Sequence, residues 1–129
     1  MSCKICKEDK KTNGKGICDA CRCKVYRREN FFKDRLYLVK KRADKNNIPF
    51  NLTTEYIKSI WTGICGISGH RLNMDDYTSE DAPQLDKIIP SKGYIIGNVC
   101  WLSAKYNRLK SDLELSDAEL ITEWLRIKN

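Results

Sequence analysis

Four cysteines near the start of the chain constrain its folding more than any other feature. Cys3 and Cys6 form one C-x-x-C pair, Cys18 and Cys21 form a second, and eleven residues separate the two pairs. Pairs with this spacing can present four thiolates tetrahedrally to Zn²⁺. The segment between them is polar and rich in turn-forming residues, so we expect it to fold only together with the metal. The pattern predicts a structural zinc site with no open coordination position.

The other cysteines and the length of the chain set broad limits on its class. Seven cysteines, with no hydrophobic signal-peptide segment at the N-terminus, indicate metal binding in a reducing cytoplasm rather than a disulfide framework. No apolar run approaches the ~20 residues that span a bilayer, so no membrane partner is expected. A chain of 129 residues favours one compact domain with a small satellite. We interpret Cys23 as a free surface thiol, and Cys65 and Cys100 as small buried hydrophobic residues.

Positive charge is concentrated in the N-terminal third. Residues 1–45 contain 15 Lys and Arg against 6 Asp and Glu, whereas residues 46–129 contain 9 against 11. A polyanion such as nucleic acid is the partner that this asymmetry indicates, although a basic surface with no partner would have the same composition. The residues expected to contact nucleic acid are Lys24, Arg27, Arg28, Lys40, Lys41, Arg42, Lys92, Arg108 and Lys110.

Three segments outside the cysteine region have helical patterns. Apolar residues at three- and four-residue spacing predict a helix over 34–47, and Thr53 can cap a second helix. Ser116 and Glu119 form a capping box for a C-terminal helix whose apolar face would close the core. We expect the adjacent Phe31 and Phe32 to dock the zinc knuckle onto the main domain, because aromatic side chains dominate burial in cores and interfaces. Stacking of these rings on nucleic-acid bases is the alternative.

The segment 84–112 carries the chemistry on which the rest of the chain depends. Its pattern predicts a strand, a turn-rich loop, a second strand and a helix capped by Ser103. Asp86 lies on the first strand and Asn107 lies one turn into the helix, so we expect their oxygens to converge. A carboxylate and an amide oxygen suit a hard cation such as Mg²⁺, which needs only one or two protein ligands. The sequence of the segment is QLDKIIPSKGYIIGNVCWLSAKYNRLKSD.

This segment resembles the ββα-metal core of HNH nucleases, the His-Me finger superfamily, and is most similar to its phage-type branch. The resemblance implies that Asp86 and Asn107 bind a catalytic Mg²⁺ or Mn²⁺. It also implies that Asn98 fixes the loop between the strands, which Gly93 and Tyr94 shape. One position departs from the family pattern, because Lys87 stands where a histidine usually acts as the general base.

The identity of the base is therefore left open among three candidates. Lys87 is protonated near neutral pH unless its surroundings lower its pKa. His70, the single histidine of the chain, has a suitable ordinary pKa but falls before the first strand in the pattern. Solvent hydroxide is the third candidate. Lys87 could instead act as a cation that stabilises the charge of the phosphorane.

A further departure concerns the cysteine clamp found in many HNH proteins. Of the four thiols expected there, Cys65 alone is present, and Ser68, Ser103 and Tyr106 occupy the other positions. We therefore expect no second zinc, and expect packing through Trp101 and Tyr106 to hold the helix that carries Asn107.

Together these observations predict an α+β protein. It would contain a zinc knuckle and basic arm over residues 1–30, and a small HNH-like ββα-metal domain with flanking helices over 31–129. The function expected is metal-dependent cleavage of DNA, with duplex favoured, by a phage or mobile-element protein in a bacterial cytoplasm. A non-catalytic DNA-binding accessory protein on a degenerate HNH fold is the alternative, and an RNA-binding zinc protein is a third. Oligomeric state is not predicted.

Overall fold

A small antiparallel sheet and four α-helices make up the regular structure of the described residues. The computed structural model describes residues 2–9, 11–111 and 113–128, apart from the side chain of Arg27. The helices are α1 (Asp19–Lys45), α2 (Thr54–Ser59), α3 (Ala104–Lys110) and α4 (Leu115–Lys128), and the strands are β1 (Pro83–Lys87) and β2 (Val99–Ser103). The α+β class predicted from the sequence is confirmed.

The strands and α3 are contiguous and follow the predicted order. β1 pairs with β2 in a register that places Asp86 opposite Cys100 and Pro83 opposite Ser103. The connecting loop contains a short 3-10 turn, Pro90–Lys92. β2 runs directly into α3, where the Ser103 hydroxyl accepts a hydrogen bond from the Tyr106 backbone N–H at 3.3 Å. This side-chain cap, which the sequence predicts, fixes the direction in which α3 leaves the sheet.

The core joins α1 to the sheet through a cluster of aromatic rings. Phe31 is fully buried and lies 5.5 Å from both Trp61 and Trp101, measured between ring centroids. Phe32 packs edge-on against the same two tryptophans. The Trp101 indole N–H donates to the Ile57 carbonyl at 2.9 Å, so the one polar atom of this ring is satisfied inside the core. Packing of Phe31 and Phe32 against the main domain is thus confirmed.

Helix α1 is much longer than the sequence pattern predicts. It begins at Asp19, directly after Cys18, and ends at Lys45, whereas the apolar periodicity places a helix only over 34–47. Its 27 residues correspond to a length of about 40 Å. Its first turns carry Cys21, Cys23 and basic residues instead of an apolar face, so the apolar periodicity could not detect them. The helix passes through residue 30 without a break, and the division into units 1–30 and 31–129 stays a prediction.

Helix α4 forms, but its apolar face does not close the core. It begins at Leu115, one residue before the predicted cap Ser116, and all of its described side chains except Ala118 are exposed. The prediction that this helix packs onto the main domain is wrong. Capping and amphipathic spacing reveal that a helix forms, but they do not reveal which surface covers it. Within the described residues, no helix combines the length and the apolar character needed to cross a membrane.

Candidate metal centres and their surroundings

The four N-terminal cysteines come together as a single cluster. The sulfur atoms of Cys3, Cys6, Cys18 and Cys21 all lie within 4.8 Å of one another, and those of Cys6 and Cys18 are 3.8 Å apart. A tetrahedral zinc with Zn–S bonds of ~2.3 Å separates its sulfurs by about 3.8 Å. The first pair lies on a tight turn in which Lys7 donates its backbone N–H to the Cys3 carbonyl, and the second pair spans the start of α1.

Backbone amides and burial shift the pKa values of two of these thiols, Cys3 and Cys21, in opposite directions. The N–H groups of Ile5 and Cys18 point at the Cys3 sulfur at 3.4 Å, and such donors, led by Cys18, lower the pKa of Cys3 to about 6. Burial raises the pKa of Cys21 to about 12. Without a cation these sulfurs therefore cannot all be thiolates at neutral pH. The cluster fits a dication that supplies the missing positive charge, and its four sulfurs fill a tetrahedral shell.

The second candidate centre lies where one face of α3 meets one face of β1. The Lys110 ammonium donates to Asp86 Oδ2 at 2.6 Å, and the Asn107 side-chain amide donates to Gln84 Oε1, also at 2.6 Å. Gln84 and Asp86 share a face because they are two residues apart on a strand, and Asn107 and Lys110 share a face of the helix. The Asp86 side chain is 16% exposed and that of Lys110 is 28% exposed.

These contacts refine the prediction that Asp86 and Asn107 act on the same cation. The structure brings both residues to the same strand–helix contact, but it pairs Asp86 with Lys110 and Asn107 with Gln84. An ammonium thus neutralises the carboxylate that the sequence predicts to bind a metal. Carboxylate and amide oxygens are ligands that suit Mg²⁺ or Mn²⁺, and a cation at Asp86 would have to displace Lys110. Sequence analysis missed Gln84, which strand alternation from Asp86 could have indicated.

Asn98 holds the loop between the strands. Its side chain accepts from the Ile89 N–H at 2.9 Å and donates to the carbonyls of Ile89 and Gly93 at 2.9 and 2.7 Å. The residue is buried, and these three bonds satisfy its amide inside the protein. Gly93 has φ +81°, and a Cβ added there would lie 2.7 Å from the Pro49 carbonyl oxygen. The loop geometry that positions the end of β1 therefore depends on both residues.

Lys87 and His70, the two side chains considered as general bases, have different surroundings. Lys87 follows Asp86 on the strand, so it points to the opposite face, where its ammonium lies 5.0 Å from the centre of the Tyr94 ring. His70 is exposed on the turn before β1, and its backbone carbonyl accepts from the Cys65 N–H at 2.8 Å. A catalytic role for either residue stays a prediction.

The basic residues predicted to bind nucleic acid differ in their availability. Lys24, Lys40, Lys41, Arg42 and Lys92 are exposed, the first four on α1. Three others are engaged in ion pairs: Arg28 with Asp75, Arg108 with Glu80 and Lys110 with Asp86. The bidentate bond to Asp75 raises the pKa of Arg28. The side chain of Arg27 lies outside the described part of the chain.

A small cavity adjoins the strand–helix site and adds two cations that sequence analysis did not assign to it. The cavity measures about 170 Å³ and is lined by Arg35, Arg42, Gln84 and Asn107, together with apolar side chains. Arg35 is held over the Tyr77 ring, 4.7 Å from its centre, and burial lowers the pKa of its guanidinium. The site thus has a carboxylate and an amide on one side and guanidinium groups beside them.

Comparison with known proteins gives one structural likeness. No family model matches the sequence, and no curated protein matches it. The chain is similar to the solved structure of the rare-cutting HNH restriction endonuclease PacI, with 17% identity and a TM-score of 0.49 over 96% of this chain and 92% of that one. At these values the likeness does not establish a shared family.

Proposed function

We propose that this protein is a metal-dependent DNA endonuclease of the HNH type. The observation that carries the proposal is the contact between α3 and β1, which brings Asn107 and Lys110 from one helix face against Gln84 and Asp86 on one strand face. The segment that forms this contact is the one whose residues resemble the HNH core. A carboxylate and an amide in this arrangement suit a hard divalent cation.

Each residue then has a distinct role in hydrolysis. A cation held by Asp86 and Asn107 would polarise the scissile phosphate and stabilise the leaving 3′ oxygen. Lys110, displaced from Asp86, would hold a phosphate oxygen, and Arg35 and Arg42 would hold neighbouring phosphates from the adjoining cavity. Asn98 would keep the loop and the end of β1 in place. The oxygen of hydroxide bonds to phosphorus as the bond to the 3′ oxygen breaks, and the leaving 3′ oxygen takes a proton from solvent.

Solvent supplies the base in this proposal. Lys87 packs on Tyr94 on the opposite face of β1, so it is not set against a water on the Asp86 side, and His70 is an exposed residue that precedes that strand. Hydroxide is then the nucleophile, and cleavage should increase with pH through the alkaline range. A rate that instead reaches a plateau near pH 7 would point to an enzyme base.

DNA binding is assigned mainly to the exposed cations of α1. The helix extends for about 40 Å, comparable to the ~34 Å of one turn of duplex DNA, so its cations can reach successive phosphates. Replacing Lys40 and Lys41 with alanine should make the negative slope of log K against log salt shallower by about 1.8. Each phosphate contact that is lost reduces the magnitude of the slope by ~0.9. An unchanged slope would move the phosphate-binding surface to another part of the protein.

The direct test is incubation of the purified protein with supercoiled plasmid and Mg²⁺ or Mn²⁺. Wild type should nick or linearise the plasmid only with metal present. Asp86→Asn should lower the rate on the order of a thousandfold, because loss of a ligand removes several kcal/mol of transition-state stabilisation. Glu55→Gln removes an exposed carboxylate at the start of α2 and should leave the rate unchanged. Wild type that is inactive with both metals at neutral and alkaline pH would contradict the proposal.

A non-catalytic DNA-binding protein is the second candidate, and the Asp86–Lys110 pair favours it. The ammonium at 2.6 Å already neutralises the carboxylate, as expected of a site that no longer needs a metal. In that case the protein would bind DNA with the same salt dependence. Binding would be unaffected by Mg²⁺, and no cleavage would occur.

A further inference from the structure

Helix α4 exposes a continuous apolar face. Leu120, Trp124 and Ile127 are 67%, 60% and 81% exposed, and Ile121 and Leu125 are 50% and 43% exposed. At 100° per residue these five positions fall within one half of the helix circumference. The opposite half carries Glu119, Thr122, Glu123 and Arg126. The helix is therefore amphipathic, although its apolar half is open to solvent.

Such a helix needs a partner to be stable. A helix of 14 residues is marginal in water on its own, and most helical stability in proteins comes from packing of the apolar face. The five apolar side chains of this face are between 43% and 81% exposed, so a partner that covers them would bury apolar area of the kind that forms protein interfaces. A single helix packed on this face would supply the missing burial.

Two charged residues mark the ends of the apolar face. Asp117 lies three residues before Leu120 and four before Ile121, and Lys128 lies three residues after Leu125 and four after Trp124. Both therefore project from the apolar half of the helix, one at each end. The face begins with a carboxylate and ends with an ammonium, which also lies 5.5 Å from the Trp124 ring centre.

We propose that α4 binds α4 of a second copy of this chain in an antiparallel pair. Antiparallel packing places Asp117 of each helix beside Lys128 of the other, with Ile121 opposite Trp124 between them. Parallel packing would place Asp117 beside Asp117 and Lys128 beside Lys128, which repel. The same surface serves both partners, as a two-fold dimer requires. This inference is independent of the proposed function.

The first test measures the oligomeric state of the full chain by sedimentation equilibrium across a range of concentrations. Wild type should be a dimer that dissociates on dilution. Ile121→Asp should be monomeric throughout, because it places a charge in the middle of the apolar face. Thr122→Asp, which adds the same charge on the polar half of the same helix, should remain dimeric. A monomeric wild type, or a dimer that Ile121→Asp does not weaken, would overturn the proposal.

The second test determines the orientation of the helices by exchanging charges. Asp117→Lys and Lys128→Asp should each raise the dimer dissociation constant by about tenfold, because each change creates two repulsive contacts in the symmetric pair. The double exchange should return it to near the wild-type value. Single exchanges without effect, or a double exchange that weakens the dimer further, would exclude the antiparallel pair. Far-ultraviolet circular dichroism of each variant checks that the rest of the chain remains folded.

Discussion

Lys110→Met should increase the affinity of the strand–helix site for a divalent cation. The Lys110 ammonium lies 2.6 Å from Asp86 Oδ2, and both side chains are mostly buried, at 28% and 16% exposure. A hydrogen bond to a charged group contributes roughly 1.5–3 kcal/mol, and an incoming cation must first break it. Replacing Lys110 removes the ammonium that competes with the cation and should therefore lower the dissociation constant for Mn²⁺ by about 10- to 100-fold. The metal-free variant should also melt at a lower temperature than wild type, because Asp86 is left unpaired.

Titration calorimetry with Mn²⁺ in the absence of DNA measures this effect without interference from phosphate binding. The protein should be loaded with zinc before the titration, so that the four cysteines are occupied and only the second site takes up metal. Lys105→Met removes an exposed lysine from the same helix and should leave the affinity at the wild-type value. Lys110→Met combined with Asp86→Asn should lose the gain. If Lys110→Met and wild type bind Mn²⁺ equally well, Lys110 does not compete with a cation, and the argument for a metal at Asp86 fails.

The cysteine cluster and the loop between β1 and β2 can each be tested by substitution. Elemental analysis should find one zinc per chain, and Cys18→Ser should lose it and release the N-terminal residues to protease while the aromatic core stays folded. Asn98→Ala should lower the free energy of unfolding by roughly 2–4 kcal/mol in urea titrations, because the Ile89 N–H and the Gly93 carbonyl lose the side-chain partner that binds them. Gly93→Ala should lower the free energy of unfolding by about 3 kcal/mol or more, whereas Gly97→Ala should lower it by only about 1–2 kcal/mol. Both glycines have positive φ, but only a Cβ at Gly93 would meet backbone atoms within 3 Å. Equal costs at the two glycines would show that conformation, not the contact with Pro49, is what matters.

The features that the sequence predicted correctly rest on signals close together along the chain. The cysteine spacing predicted the sulfur cluster, and the hydroxyls of Thr53 and Ser103 both accept the backbone hydrogen bonds expected of helix caps. The strand–loop–strand–helix order of 83–110 followed from apolar runs and turn residues that each span only a few positions. In all these cases the residues whose interaction determines the local structure lie within one short segment of the chain.

The features that could not be predicted from the sequence depend on residues far apart along the chain, or on the absence of a surface that covers an apolar face. The bond between Asp86 and Lys110 joins residues 24 positions apart, and which α3 side chain reaches the carboxylate depends on the angle between helix and sheet. The early start of α1 was missed because Cys18 caps it without a side-chain hydrogen bond. An apolar face predicts burial but does not identify the covering surface, and α4 therefore differs from the expectation.

Because α1 is unbroken, its rotation about its own axis fixes the orientation of the cysteine cluster relative to the core. Cys21 lies in the first turn of α1, and Phe31 is buried in the core. The ten peptide units between them therefore set how far the cysteine cluster is rotated about the helix axis relative to the core. Deleting one residue there would turn the sulfur cluster by about 100° around the helix axis and draw it in by only about 1.5 Å. Changes in the length of this segment should therefore be tolerated in steps of three or four residues, as whole turns, and not singly.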